Sequence, residues 1–247
     1  MSVRVGCAGW SLPRAEQEHF PEAGSHLERY ASRFNAVEIN SSFHRPHRPS
    51  TYARWSQSVP PSFRFAVKIP KAITHGLRLQ QAGELLETFL AEAGGLGEKL
   101  GCLLIQLPPS LSFDQAVVSG FLADLRTRTS VPLACEPRHP SWFSPQVDEL
   151  LRDAQAARVA ADPACVPEAA EPGGWPGFRY YRLHGSPRIY YSVYSEAEID
   201  ALAARIQADS DGRDVWCIFD NTTLGGATRN ALDLCARLND PFRACLA

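Results

Sequence analysis

Short apolar runs of strand length recur along this chain, and most are followed by a segment in which apolar residues return every three or four positions. The runs are VRVGCAG (3–9), AVEIN (36–40), FRFAVKIP (63–70), GCLLIQLP (101–108), PLACEPR (132–138), RVAAD (158–162), FRYYRLHG (178–185) and DVWCIFDN (214–221). Between them HLERYASRF, ELLETFLAEAG, DQAVVSGFLADLRT, QVDELLRDAQAA and EAEIDALAARIQA carry the period of amphipathic helices. Ser144 before Pro145 reads as an N-cap and first helical residue, and Ser195 with Glu198 as a capping box.

This alternation predicts an α/β fold, because parallel strands need crossover segments to return the chain. The expected architecture is a TIM-type (β/α)8 barrel filling residues 1–247 as a single domain, with an open doubly wound sheet as the alternative. PACVPEAAEPGGWPG (163–177) holds too much Pro and Gly for a regular helix, so an irregular loop is expected in place of the sixth crossover helix. GGLGEKLG (94–101) precedes a strand instead of following one, which marks a helix end and turn rather than a dinucleotide loop.

Polar residues interrupt the apolar runs mostly near their C-terminal ends. In a barrel strand alternate side chains face the interior, and those at the C-terminal end line the mouth where active sites of this fold sit. Parity sends Glu38, Asn40, Lys68, Gln106, Glu136, Arg138, Asp162, Arg182 and His184 to that mouth, and strand eight offers either Asp220 or Asn221. A self-satisfied ion-pair plug is the bland reading. Apolar side chains would fill the same space without desolvating charge, so the gathering at one end favours a functional site.

Composition adds limits. With 45% hydrophobic and 21% charged residues the chain has an ordinary globular core. A formal net charge of -2 gives no global attraction to nucleic acid or anionic membrane, so such affinity must come from a local patch. The N-terminus lacks a signal pattern and no apolar stretch approaches about 18 residues, so a cytoplasmic protein without membrane association is expected. The seven cysteines form no C-x-x-C, and Cys7, Cys102, Cys135 and Cys217 lie inside apolar runs as buried thiols.

The blocks GCAGW, NAVEINSSFHR, FRFAVKIPKAITH, LLIQLPPSL, EPRHPSWF, YYRLHGSPRIYYSVYS and FDNTTLGGATRNAL together resemble the domain of unknown function 72 family, over residues 3–235. The resemblance implies a TIM-type barrel and carries no reaction. It puts Glu38, Asn40, Lys68, His75, Gln106, Glu136, Arg138, His139, Arg182, His184, Tyr191 and Asn221 at motif positions, while Asp220 stands where the family pattern often has Asn. It also implies a structural analogy with barrel endonucleases acting at abasic DNA sites, a weak warrant for function.

Glu38, Glu136, Asp162 and His184 are of metal-ligand type, but Lys68, Arg138 and Arg182 come from the same strand ends and oppose a dication there. No metal or cofactor is therefore expected. The mixture suits acid/base work on an anionic, phosphorylated or nucleotide-like substrate, in a hydrolase or lyase. Glu136 is the candidate general base or nucleophile, His184 the general acid, and Lys68 and Arg138 stabilise developing negative charge. Lys68 could instead form a Schiff base. The basic stretch of His44, Arg45, His47, Arg48 and Arg54, with Phe43, Tyr190, Tyr191 and Tyr194 as stacking aromatics, offers the alternative of a nucleic-acid-binding barrel. A non-catalytic small-ligand-binding barrel is the third reading. Finally, Gly225 and Gly226 at the start of the last helix are candidates for an anion site on free amides, with Gly185–Arg188 as the opposite wall.

Overall fold

Each of the eight apolar runs contains a strand in the computed structural model, which describes residues 2–210 and 212–238. The strands are β1 (Val3–Cys7), β2 (Ala36–Ile39), β3 (Arg64–Lys68), β4 (Leu100–Gln106), β5 (Leu133–Glu136), β6 (Ala156–Arg158), β7 (Ala160–Asp162), β8 (Gly173–Gly174), β9 (Phe178–Leu183) and β10 (Asp214–Phe219). The helices are α1 (His26–Ala31), α2 (Ser41–His44), α3 (Pro49–Gln57), α4 (Gly83–Ala93), α5 (Gln115–Arg128), α6 (Pro145–Asp153), α7 (Glu196–Asp209) and α8 (Gly226–Arg237). Ser144 caps α6 with Pro145 in its first turn, and Ser195 with Glu198 closes a capping box on α7, as their spacing predicts. Residues 94–99 form a 3-10 turn at the end of α4, leading into β4.

The fold is α/β with parallel sheets. Backbone ladders join the strands in the orders β1-β10-β9-β7 and β2-β3-β4-β5-β6-β8, all parallel except β6 with β8. The sixth run lies on both edges, since β6 pairs with β5 while β7, two residues on, pairs with β9. Between β1 and β2 there is one bridge, Ala8 with Glu38, and the Gly9 amide donates to the Glu38 carbonyl at 2.8 Å. Side chains complete the junction: Asn35 accepts from the Val5 amide and donates to the Val3 carbonyl, and Tyr30 accepts from the Cys7 amide and donates to the Ala36 carbonyl. Gly6 is required there, because a Cβ would stand 2.1 Å from the Ala36 carbonyl oxygen. The ladders thus form two sheets, where the sequence predicts one eight-strand ring.

Residues 163–177 hold a 3-10 turn (Pro167–Ala170) and β8 but no α-helix. Arg158 anchors this crossover, donating to both oxygens of Asp148 and to the Glu168 carbonyl.

Strand parity separates two cores. Val37, Ile39, Val67, Leu103, Ile105 and Cys135 pack in the larger cluster with the helices. Ala36, Ala66, Cys102, Leu104, Ala134, Val159, Tyr180, Trp216 and Ile218 form a second cluster drawn from both sheets. Stepping two residues toward the C-terminal end from several of these reaches Glu38, Lys68, Gln106, Glu136, Arg182 and Asp220, all buried. The apolar cluster is the floor on which the polar one rests.

Candidate functional site

Arg182 is the hub of the polar cluster. It is buried, and its guanidinium donates to Glu38 Oε1 at 2.7 Å and to Glu136 Oε2 at 3.1 Å, with Asp220 Oδ2 at 2.9 Å. The Tyr180 hydroxyl donates to Glu38 Oε2 at 2.8 Å. His184 sits between two carboxylates, Nε2 2.9 Å from Glu136 Oε1 and Nδ1 3.0 Å from Asp220 Oδ2, while the Arg138 guanidinium also approaches Nε2 at 3.1 Å. Arg138 Nε donates to Glu136 Oε1 at 2.9 Å, and the Tyr190 ring stands edge-on to His184 with centroids 5.9 Å apart.

Burial alone would raise the Glu136 carboxyl, but Arg182, Arg138 and His184 outweigh it and hold it well below the usual carboxylate range. Asp220 is lowered for the same reason, its burial overcome by Arg182 and His184. Lys68 behaves oppositely. Burial, reinforced by Arg182, lowers its ammonium to about 8 against the pull of Glu38, Glu136 and Asp220. Its Nζ lies 4.0 Å from the centre of the Phe43 ring and, among the described residues, makes no hydrogen bond. His75 packs edge-on against the same Phe43 ring at 5.0 Å, its Nδ1 2.9 Å from Thr74 Oγ1. Phe43 and His75 also line a cavity of about 790 Å³ beside the cluster. No three of the described His, Cys, Asp and Glu side chains gather as a metal-ligand set.

The model of a family described as a protein of unknown function, DUF72, matches residues 4–246. The chain belongs to the DUF72 family. Among relatives, YunF of Bacillus subtilis 168 is 26% identical over 258 residues, with 92% of each chain covered. YecE of Escherichia coli K12 is 28% identical over 148 residues, 60% of this chain, and the matched region spans about half of YecE, 52%. Both bear the uncharacterised-family name UPF0759. The crystal structure of a DUF72 family protein from Thermotoga maritima MSB8 superimposes with a TM-score of 0.80 at 26% identity, covering 97% of this chain and all of that one.

In this DUF72 chain the structure brings together Glu38, Lys68, Glu136, Arg138, Arg182 and His184 as parity predicts. Gln106 is beside Glu136 in the β4–β5 register and donates to the Leu107 carbonyl. Asn40 is half-buried at the start of α2, and its Oδ1 has no partner among the described residues. Asp220, ambiguous from sequence, turns in. Sequence reasoning misses Tyr180, although it shares the parity of Arg182 and His184, while Tyr190, expected as a stacking aromatic of the rim, packs on His184 from the loop after β9.

Other expectations need correcting. Asp162 does not join the cluster, because the register pairs Ala161 with Arg182 and Asp162 with outward Leu183; its Oδ2 accepts from the Tyr194 hydroxyl at 2.6 Å. Asn221 faces away, donating to the Ser192 carbonyl and to Asn230 Oδ1, and so braces the loop after β9 against α8. His139 caps the turn of residues 140–142, accepting from the Ser141 amide. The Tyr191 ring is covered by the Arg188 guanidinium, 3.8 Å from its centroid. The anion site on Gly225 and Gly226 fails at Gly225. The Gly225 amide donates to the Thr222 carbonyl at 3.1 Å in a left-handed turn, and Gly226 is packed close to Val193 and Asn221. On the opposite wall the Gly185 amide already donates to Tyr194.

No helix among the described residues is long and apolar enough to cross a membrane.

Proposed function

We propose that this chain is an enzyme performing metal-independent acid/base chemistry on an anionic substrate, at the C-terminal mouth of a single-domain (β/α)8 barrel. The passage of residues 156–162 from one sheet to the other and the Ala8–Glu38 bridge support closure of the two sheets into that barrel.

One observation carries the functional reading: the carboxylates are fully paired, while at the rim Arg138, though bonded to Glu136, stays partly exposed and the Lys68 ammonium has no acceptor among the described residues. Glu38 and Glu136 lie at the bottom of the cluster, fully paired, whereas the Arg138 side chain keeps 23% of its surface exposed and Lys68 has no acceptor. A plug built only for stability has no reason to hold a largely buried lysine at the mouth with no protein acceptor for its ammonium, where burial works against the charge. An anion entering the mouth meets Arg138 and Lys68 first. Glu136, with both oxygens engaged and its proton affinity depressed, fits a positioning role for Arg138 and His184 better than that of base or nucleophile. His184 is the proton donor and Lys68 the group that can gain or lose a proton near neutrality.

Calorimetric titration of chelator-washed protein with inorganic phosphate tests the anion claim: the wild type binds, and Arg138→Gln weakens binding at least tenfold. Incubation with a small-molecule extract, followed by mass spectrometry, tests catalysis by consumption of an anionic metabolite. Binding without consumption favours the non-catalytic barrel. The exposed His44, Arg45, Arg48 and Arg54 favour a nucleic-acid rim, and salt-dependent binding of an oligonucleotide in place of phosphate would replace our reading.

A further inference from the structure

We infer that Lys68 is a covalent nucleophile, whose side-chain amine captures the carbonyl carbon of an anionic aldehyde or ketone as a Schiff base. This rests on the anionic-substrate reading above and names the chemical class of that substrate.

The chain has three lysines, Lys68, Lys71 and Lys99, and their surroundings differ. Lys99 is tied down, its ammonium donating to the Ser56 and Val59 carbonyls at 2.5 and 2.6 Å. Lys71 is exposed. Lys68 alone is buried at a strand end with nothing accepting from its nitrogen, resting on the face of Phe43. The three nearby carboxylates are each engaged by Arg182, and none of them is paired with Lys68. The same geometry depresses its proton affinity. With a value of about 8, roughly a quarter of Lys68 is neutral at pH 7.5, against about one part in a thousand for an exposed lysine. A neutral lone pair is what attack on a carbonyl needs.

The surroundings supply the remaining requirements. In the first step the amine lone pair bonds to the carbonyl carbon, the nitrogen loses one proton and the oxygen gains one, giving a carbinolamine. That oxygen then takes a second proton and leaves as water while the nitrogen lone pair forms the C=N bond. The sum is amine plus carbonyl plus one proton going to a cationic imine plus water, with nothing oxidised or reduced. In this proposal His75, which packs against the same Phe43 ring as Lys68 and has its Nδ1 engaged with Thr74 Oγ1, relays these protons. Burial and the positive charges of Lys68, Lys71 and Arg138 disfavour the imidazolium, so the ring is available as a neutral acceptor. Phe43, on whose face Lys68 rests, and His75 also line a cavity of about 790 Å³ with Pro70, Lys71, Leu85 and Phe89 in its wall, into which the rest of a substrate would extend past Phe43. Arg138 supplies the charge that selects an anionic one.

The test uses the whole wild-type protein with D-glyceraldehyde 3-phosphate or uncharged D-glyceraldehyde, sodium cyanoborohydride to reduce any imine, and peptide mass spectrometry. With three lysines the assignment is unambiguous. Lys68 should be labelled by the phosphorylated aldehyde at least tenfold faster than Lys71 or Lys99, at a rate that climbs as pH rises toward 8. Label spread evenly over the three, or concentrated on exposed Lys71, overturns the proposal. If Lys68 is labelled equally by both aldehydes and inorganic phosphate gives no protection, the amine nucleophile stands and the anionic-substrate reading falls. If phosphate binds in the calorimeter but Lys68 stays unlabelled, the reverse holds. A Lys68→Arg variant, which keeps the cation but forms no imine, must lose the privileged label whatever its stability.

Discussion

Replacing Lys68 by methionine should make this protein more stable. Lys68 is largely buried, its ammonium has no hydrogen-bond acceptor among the described residues, and its pKa is lowered from 10.5 to about 8 on folding. A group whose folded pKa is depressed contributes stability that is complete above its unfolded value and is lost as pH falls toward the folded one. The relevant window for Lys68 is therefore pH 10.5 down to about 8, and at neutral pH the whole penalty is in force. At about 1.4 kcal/mol per pKa unit, a drop of about 2.5 units is worth about 3 kcal/mol. Loss of the cation–π contact with Phe43 offsets about 1 kcal/mol of this, so Lys68→Met should gain about 2 kcal/mol at pH 7. Guanidinium unfolding followed by tryptophan fluorescence measures the difference. Repeating it at pH 10 supplies the sharper check, because the part due to the ammonium should shrink to roughly a quarter as the pH nears the unfolded-state value of 10.5. A gain that stays constant between pH 7 and 10, or a loss of stability at pH 7, refutes the reasoning. Either would mean that Lys68 has a good counter-ion and is held for structure.

Glu136→Gln acts in the opposite direction. It leaves Arg182, Arg138 and His184 short of a shared carboxylate and should cost about 3–5 kcal/mol in chemical denaturation. Because the Glu136 carboxyl is held below its usual 4.5, its contribution is present above that pH and lost in more acid solution, so the variant should also show a shallower fall in stability below about pH 4.5. Tyr194→Phe strips the Gly185 amide and Asp162 of their common partner and should cost about 1–3 kcal/mol, with faster amide hydrogen exchange confined to the loop after β9. Unchanged exchange there would show that this hydroxyl does not hold the loop.

Which stretches become strands, and which of their faces turns inward, was legible wherever a run contains large apolar residues to set its phase. Val37 and Ile39 fix the parity of β2 and thereby of Glu38; Val67 does so for Lys68, and Leu103 with Ile105 for Gln106. Charged residues two positions beyond small inner residues such as Ala36, Ala66 and Ala134 could then be assigned to one mouth from the chain alone. The same reasoning misses where the run is phaseless. VAAD has apolar residues on both faces, so only its pairing with β9, which sets Ala161 against Arg182, turns Asp162 outward. Asp220 and Asn221 are adjacent and both polar, and the choice between them depends on Arg182 and His184 reaching Asp220 from β9 while Ser192 and Asn230 take Asn221. The Gly225–Gly226 turn is legible as a turn, but whether its amides are free is a matter of backbone closure that composition does not encode. What tertiary structure alone decided is the allocation of partners. Glu38 meets Arg182 across 144 residues of chain, and that pairing commits the carboxylates and leaves Lys68 the unpaired amine. Local sequence sets which way a side chain points, through a two-residue period. Whom it meets is set by distances across the interior, which exist only once the two sheets face each other.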